Sequence, residues 1–194
     1  VTAKTHKSSR SLIYATGNDN KFYEAANIAK KFDVKLVQKV VAIDEIQHHE
    51  AIEITKAKAR DMWDVLKQPV VVTDHSWEIP ALGGFPGGYM KDITSWLSTQ
   101  DFLLLMSDKK DKRIYLKEIV AYCDGDTLEV FAHKRQGHFV DEPKGSSPPS
   151  FSRVVEMEGE GMTIAEVFDK GNWDTDFPDR YKSWYDFYEW YTNR

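Results

Sequence analysis

The sequence is short of several things, and each shortage excludes something. One cysteine, Cys123, occurs in 194 residues, so no disulfide can close within the chain and no thiolate cluster can hold a metal. That usage fits a reducing, cytoplasmic setting. Long apolar runs are missing too. Stretches such as PVVV at 69–72 and DFLLLM at 101–106 fall far below what a bilayer requires, so no membrane partner is expected. Basic charge is scarce: 31 acids against 26 bases leave a formal net charge of −5. A nucleic-acid polymer would call for a basic stripe, and none runs along the chain. No internal repeat or low-complexity tract is present either. What remains, with 41% hydrophobic and 29% charged residues, has the balance of a folded globular chain rather than a disordered one.

The polar, basic lead VTAKTHKSSR, residues 1–10, is expected to be flexible and is not patterned as a signal peptide. Residues 11–194 are expected to form a single domain with two lobes. Leu12–Thr16 reads as a strand and Phe22–Lys31 as a helix with Phe22, Ala25, Ala26 and Ala29 on one face. A strand over Val34–Val41, a helix over Glu50–Leu66 and a strand VVVT at 70–73 follow. ALGGFPGGYM at 81–90 reads as a glycine-rich loop, with two short helical pieces around Trp96–Leu97 and Phe102–Met106. Arg113–Cys123 and Leu128–His138 read as paired strands joined through Asp124-Gly125. PKGSSPPS at 143–150 has loop composition, and Thr163-Ile-Ala-Glu166 has the spacing of a helix-capping box. Tyr181, Trp184, Tyr185, Tyr188 and Tyr191 recur at helical spacing, as the packed face of a terminal helix or a dimer surface. The order implies a mixed α/β fold with a cleft, and ligands in such folds sit where loops leave the carboxyl ends of strands.

Two features carry chemistry. In SLIYATGNDNKFYEAANIA, residues 11–29, an apolar run breaks at Thr16-Gly17-Asn18 and turns helical. Asn18 can cap that helix, its first N–H groups can face an anion, and Lys21 lies within the first turn. The same pattern also describes an ordinary strand–turn–helix corner with a surface lysine. The second feature is Asp74, placed directly after VVVT and ahead of the glycine loop and Lys91. A strand-end carboxylate there can hold Mg²⁺, which prefers hard oxygen ligands and needs few from the protein; Glu45 and Glu24 can add further oxygens.

Together these pieces resemble the inosine triphosphate pyrophosphatase family, the Ham1-type nucleotide hydrolases. The matching residues are Thr16-Gly17-Asn18-x-x-Lys21 with Glu24, Glu45-Ile46-Gln47, Asp74, ALGGFPGGYMK at 81–91 and Thr163-Ile-Ala-Glu166. The resemblance implies an ITPase-like fold, in which a long central mixed sheet flanked by helices places the active site in the cleft between two lobes. It also implies a homodimer and Mg²⁺-dependent cleavage of a nucleoside triphosphate to monophosphate and pyrophosphate. Carried over residue by residue, Thr16, Gly17, Asn18, Lys21 and Lys91 would grip phosphates. Glu45 and Asp74 would hold the metal, with Asp74, Glu45 and Lys21 as the catalytic set. Phe151, Asp179 and Arg180 would meet the base.

The departures from the family pattern fall near the base. The acid that often precedes Asp74 is Thr73 here, with His75 and Ser76 following. Pro149-Ser150-Phe151-Ser152-Arg153 stands where Phe-Gly-(Tyr/Trp)-Asp-Pro is common, and Pro178-Asp179-Arg180 stands for Ser-His-Arg. As a carboxylate, Asp179 can only accept hydrogen bonds, so an exocyclic amino group suits it better than the 6-keto group of hypoxanthine. Base specificity altered from inosine and xanthosine is the expectation. The alternative is a nucleotide-binding or regulatory protein that kept the fold and lost turnover.

Overall fold

The computed structural model describes residues 10–146, 150–171 and 179–194. Its frame is a seven-stranded mixed sheet. Strand β1 (Arg10–Ala15) pairs in parallel with β2 (Val34–Lys39) on one side and β3 (Val70–Glu78) on the other. From β3 the sheet continues antiparallel through β5 (Arg113–Cys123), β6 (Leu128–Phe139) and β7 (Val155–Met157), and the two-residue β4 (Pro86–Gly87) pairs with the far end of β3. The parallel connections need crossovers, which α1 (Asp19–Lys30) and α2 (Ala51–Leu66) supply.

The pleat sorts the core onto two faces, because successive strand side chains point opposite ways. Leu12, Tyr14, Val71, Val120 and Tyr122 pack toward α1 and the terminal helix α6 (Lys182–Thr192). Ile13, Ala15, Val70, Val72, Ala121 and Cys123 pack toward α2. A third cluster, built on Ile79, Ile114, Phe139 and Val155, lies at the other end of the sheet with α4 (Thr99–Met106). Short α3 (Met90–Trp96) and α5 (Ile164–Lys170) complete the described helices. The capping box expected at Thr163–Glu166 is present in full, with Thr163 Oγ1 accepting from the Glu166 N–H and the Glu166 carboxylate accepting from the Thr163 N–H.

The aromatic stripe resolves as core. Trp184, Phe187, Tyr188 and Tyr191 are buried under the sheet, the Trp184 ring stands edge-on to Tyr14 at 5.1 Å, and the Tyr188 hydroxyl donates to the Ala25 carbonyl at 3.1 Å. Truncating a fully buried ring such as Phe187 to alanine would cost about 3–5 kcal/mol.

Three expectations need correction. The strand expected to end at Thr73 runs on to Glu78, because β5 pairs with it over its whole length, Val70 opposite Cys123 through Glu78 opposite Tyr115. Asp74 is therefore a mid-strand residue and does not stand at a strand's end. The glycine-rich segment is not a plain loop: a 3₁₀ turn at Pro80–Leu82, β4 and the start of α3 occupy it. Arg10, expected in the lead, opens β1 and donates to the Tyr191 carbonyl at 2.8 Å. The rest of the lead, and residues 147–149 of the loop at 143–150, lie outside the described residues.

Candidate active site

The corner after β1 forms as its residue types dictate. Asn18 takes an extended backbone as N-cap of α1 and its side-chain oxygen accepts from the Lys21 N–H at 3.1 Å. Thr16 Oγ1 accepts from the Asn18 N–H at 3.1 Å, which closes the turn. Gly17 and Asn18 stay exposed at the mouth. Burial pushes the Lys21 ammonium below the usual lysine range, opposed first by the attraction of Asp74. A desolvated lysine beside free helix-start N–H groups is prepared for an anion.

The Asp74 side chain follows Val70 and Val72 on the face that packs toward α2. Its Oδ1 accepts from the His75 N–H at 2.8 Å. Glu45 lies in the irregular segment before α2, where Lys58 of that helix donates to it at 2.5 Å. Burial alone would raise the Glu45 carboxyl, but the Lys58 hydrogen bond and charge, with Lys91 and Lys21 beyond, hold it below the usual range. Lys91 is exposed in the first turn of α3. The electrostatic ties thus bring Lys21, Lys58 and Lys91 together with Asp74 and Glu45.

The glycine loop holds this group in place. A Cβ on Gly88 would come within 2.8 Å of the Ile54 Cδ1 and 3.1 Å of the His48 carbonyl; one on Gly87, at φ +60°, would meet the His49 carbonyl at 3.3 Å. Those two positions let the loop clamp the segment that carries Glu45.

Thr73 follows Tyr14 and Val71 on the opposite face. Its hydroxyl shares a 2.5 Å hydrogen bond with Tyr14 Oη, buried from solvent. An acid at that position would meet this phenol in the core.

On that face a cavity of about 190 Å³ opens among α1, β3, β5 and the start of α6, with Glu24, His75, Trp77, Leu116, Glu118 and Tyr181 in its wall. His75 and Glu118 stand directly opposite in the register of β3 and β5, with His75 Nε2 3.5 Å from Glu118 Oε1. Burial holds the His75 imidazole below its ordinary range, with the Lys21 charge acting the same way. Burial pushes the Glu24 carboxyl up to about 7, the strongest opposing influence being a hydrogen bond with Tyr181.

Asp179 and Arg180 border an adjoining cavity of about 390 Å³ with Arg135 and Glu160. Glu160 accepts from Arg135 at 2.9 Å and also from Arg180. Phe151 packs against Trp77, with ring centroids 4.8 Å apart, and against Phe102 at 5.9 Å. Trp77, rather than Phe151, is among the residues lining the smaller cavity.

Sequence reasoning missed Lys58, Trp77 and Glu118. Lys58 left no motif, but Glu118 did leave a signal, a charge at the middle of the strand 113–123 directly before the apolar run IVAYC at 119–123. Among the described residues no group of three or more His, Cys, Asp or Glu side chains converges as a metal cluster. Glu45 and Asp74 nevertheless suit Mg²⁺, which takes one or two carboxylates and completes its shell with water and phosphate oxygens.

A mixed α/β sheet with a capped, lysine-bearing helix start after its first strand defines a class of fold whose corner can receive an anion. Within that class, the chain belongs to the Ham1 family, whose model matches residues 12–172. A dITP/XTP pyrophosphatase of Methanosarcina mazei is 31% identical over 160 residues, covering 82% of this chain and 86% of its own length. An inosine triphosphate pyrophosphatase 2 of Trypanosoma cruzi is 31% identical over 166 residues and 84% of each chain. The solved Ham1 protein of Coxiella burnetii superposes with a TM-score of 0.78 at 18% identity, over 95% of this chain and all of that one, which establishes the shared fold.

Proposed function

We propose that the protein is a nucleoside-triphosphate pyrophosphatase that hydrolyses an NTP or dNTP to the monophosphate and pyrophosphate. The observation that carries this reading is the corner after β1, where the Asn18 side chain caps α1 and Lys21 stands in that helix's first turn. Thr16, Gly17 and Asn18 present the helix start to the triphosphate, and Lys21 and Lys91 neutralise its charge. Asp74 orients the attacking water and takes its proton. The water oxygen bonds to phosphorus, the α–β anhydride bond breaks, and pyrophosphate leaves. Glu45 and Asp74 would hold Mg²⁺, which when bound offsets charge on the phosphoryl oxygens.

Asp179 and Arg180 border the base side of the site, and the acceptor character of Asp179 shifts specificity away from inosine and xanthosine toward an amino-bearing base. A homodimer and a cytoplasmic location complete the proposal. Among the described residues, no helix is long and apolar enough to cross a membrane.

Pyrophosphate release across ordinary, deaminated and modified nucleotides, with Mg²⁺ and with EDTA, tests the reaction. Metal-dependent release from one nucleotide is expected; efficient ITP hydrolysis would overturn the altered base preference. A second reading, a nucleotide-binding protein without turnover, draws on the Thr73 hydroxyl locked to Tyr14 where the family often has an acid. Silence across the panel from folded protein that still binds nucleotides would establish it.

A further inference from the structure

The cavity under β3 and β5 has a buried carboxyl in its wall. Glu118 is 8% exposed in the middle of a strand whose neighbours Ile119, Val120 and Ala121 are fully buried. Buried carboxylates are ordinarily paired, since desolvation disfavours the charge and each oxygen seeks a donor. Glu118 has neither provision in full. Its Oε1 has His75 Nε2 at 3.5 Å, while its Oε2 is buried with no hydrogen-bond partner among the described residues. The two arginines of the wall are engaged elsewhere: Arg135 and Arg180 both donate to Glu160.

The rest of the wall indicates the missing partner. Trp77, Leu116 and Met157 give apolar surface, Glu24 adds a second carboxyl, and at about 190 Å³ the space suits a ring system rather than a whole nucleotide. The corner that would hold phosphates is adjacent, because Lys21 feels the charges of Glu118 and Glu24 as well as that of Asp74. A turn about the soft terminal bond of Glu118 exchanges its two oxygens, so either can meet a ligand.

We infer that Glu118 is the specificity-determining residue of this cavity, and that it selects a nucleobase carrying an exocyclic amino group. The inference rests on the nucleotide reading above and deepens it. An ionised carboxylate only accepts hydrogen bonds, so an amino group satisfies it, whereas a keto oxygen in the same place sets lone pairs against lone pairs. Sites built on a buried polar group reject analogues that leave that group unpaired, which is how such a residue discriminates more strongly than apolar contact does.

Two pairs of nucleotides differ at such a position: ATP against ITP, and CTP against UTP. Titration calorimetry in EDTA, where no turnover occurs, should show wild-type protein binding the amino member of at least one pair about tenfold tighter. Glu118→Gln, whose amide donates as well as accepts, should shrink that ratio to within about threefold, mainly by tightening the keto member. A wild type that binds ITP and UTP as tightly as ATP and CTP overturns the inference with no variant required, which covers the case in which E118Q fails to fold. A preference that E118Q leaves unchanged overturns it as well. Pyrophosphate release measured in parallel with Mg²⁺ separates the two readings. Preferential binding without release defeats the enzymatic reading and supports this one. Release with a base preference indifferent to E118Q does the reverse.

Discussion

The corner after β1 and the cavity beneath β5 share the strand β3, yet they are built with opposite charge. At the corner three lysines, Lys21, Lys58 and Lys91, act on two carboxylates, Glu45 and Asp74. In the cavity Glu24, Glu118 and Glu160 line the wall, and the two arginines present both bond to Glu160. The pleat makes the division, because Asp74 points to the α2 face and its neighbours Thr73 and His75 to the α1 and α6 face. One strand thus serves a corner with three lysines and a cavity with three carboxyl groups in its wall. A single substitution on β3 should disturb one of them and spare the other.

The sharpest way to break the comparison is Asp74→Asn. Its turnover should fall about 10²–10³-fold, the scale of losing a group that acts on the reacting water. The fold should hold, since the amide oxygen of asparagine can still accept from the His75 N–H that Asp74 binds. Pyrophosphate release and a thermal melt read the two effects. If Glu118→Gln lowered turnover on its best nucleotide as far as Asp74→Asn does, the division of labour between the faces would be wrong.

The next effect belongs to the cavity and appears without any ligand. Glu24 faces Tyr181, Glu118, Lys21 and Arg180, and burial lifts its carboxyl from 4.5 to about 7. The folded protein therefore keeps a proton that the unfolded chain has lost across that window. Stability should fall as pH rises from 4.5 to about 7 and level off above, by up to about 3 kcal/mol from this group. Glu24→Gln removes the dependence. Urea denaturation should show the variant and wild type matched near about pH 4 and the variant more stable at about pH 8. Parallel curves at both pH values would mean that Glu24 is better solvated than its place in the wall indicates.

The contrast also explains what could be recognised from sequence. The corner was legible because its chemistry is local: Thr16, Gly17, Asn18 and Lys21 lie within one turn, and capping and anion geometry follow from that spacing. The paired strands at 113–123 and 128–139 were legible for the same reason, joined by a short Asp-Gly turn. Asp74 was recognised as a carboxylate of interest but misplaced at a strand's end, because the partner that extends β3 to Glu78 lies far along the chain in β5, a distance that periodicity cannot span. Glu118 depends on the same long-range register: opposite His75 it faces the cavity, and a slip of one residue would turn it to the other face. The family's loop pattern at 149–153 drew attention to Phe151 as a base platform, whereas the packing gives Phe151 to Trp77 and Phe102 and puts Trp77 at the cavity.

Lys21 joins the two regions, and a smaller effect of mixed sign is expected there. Its ammonium is desolvated in the free protein, so Lys21→Met should raise stability by about 1 kcal/mol. The same change should weaken nucleotide binding about tenfold, through loss of a charge-assisted contact to phosphate. Melting curves without ligand and calorimetry with it give the two signs. Equal binding by the variant would detach Lys21 from the phosphate site.

The smallest effect sharpens the corner itself. Lys58 and Glu45 form a pair at 2.5 Å whose side chains are 19% and 45% exposed. A partly solvated pair of this kind contributes about 0–1 kcal/mol, so Lys58→Met should leave the melting temperature nearly unchanged. Its consequence lies in competition, because the ammonium and Mg²⁺ would draw on the same carboxylate oxygens. Without Lys58, Glu45 loses the hydrogen bond that holds its carboxyl down, but that oxygen no longer has to be taken from a resident cation. The Mg²⁺ concentration giving half-maximal pyrophosphate release should fall about two- to threefold, a shift of well under about 1 kcal/mol. A midpoint that stays fixed would mean that metal enters without displacing Lys58, leaving Asp74 as the carboxylate that holds it. A midpoint that rises would make Lys58 part of the phosphate grip, a third lysine acting on the substrate rather than on Glu45.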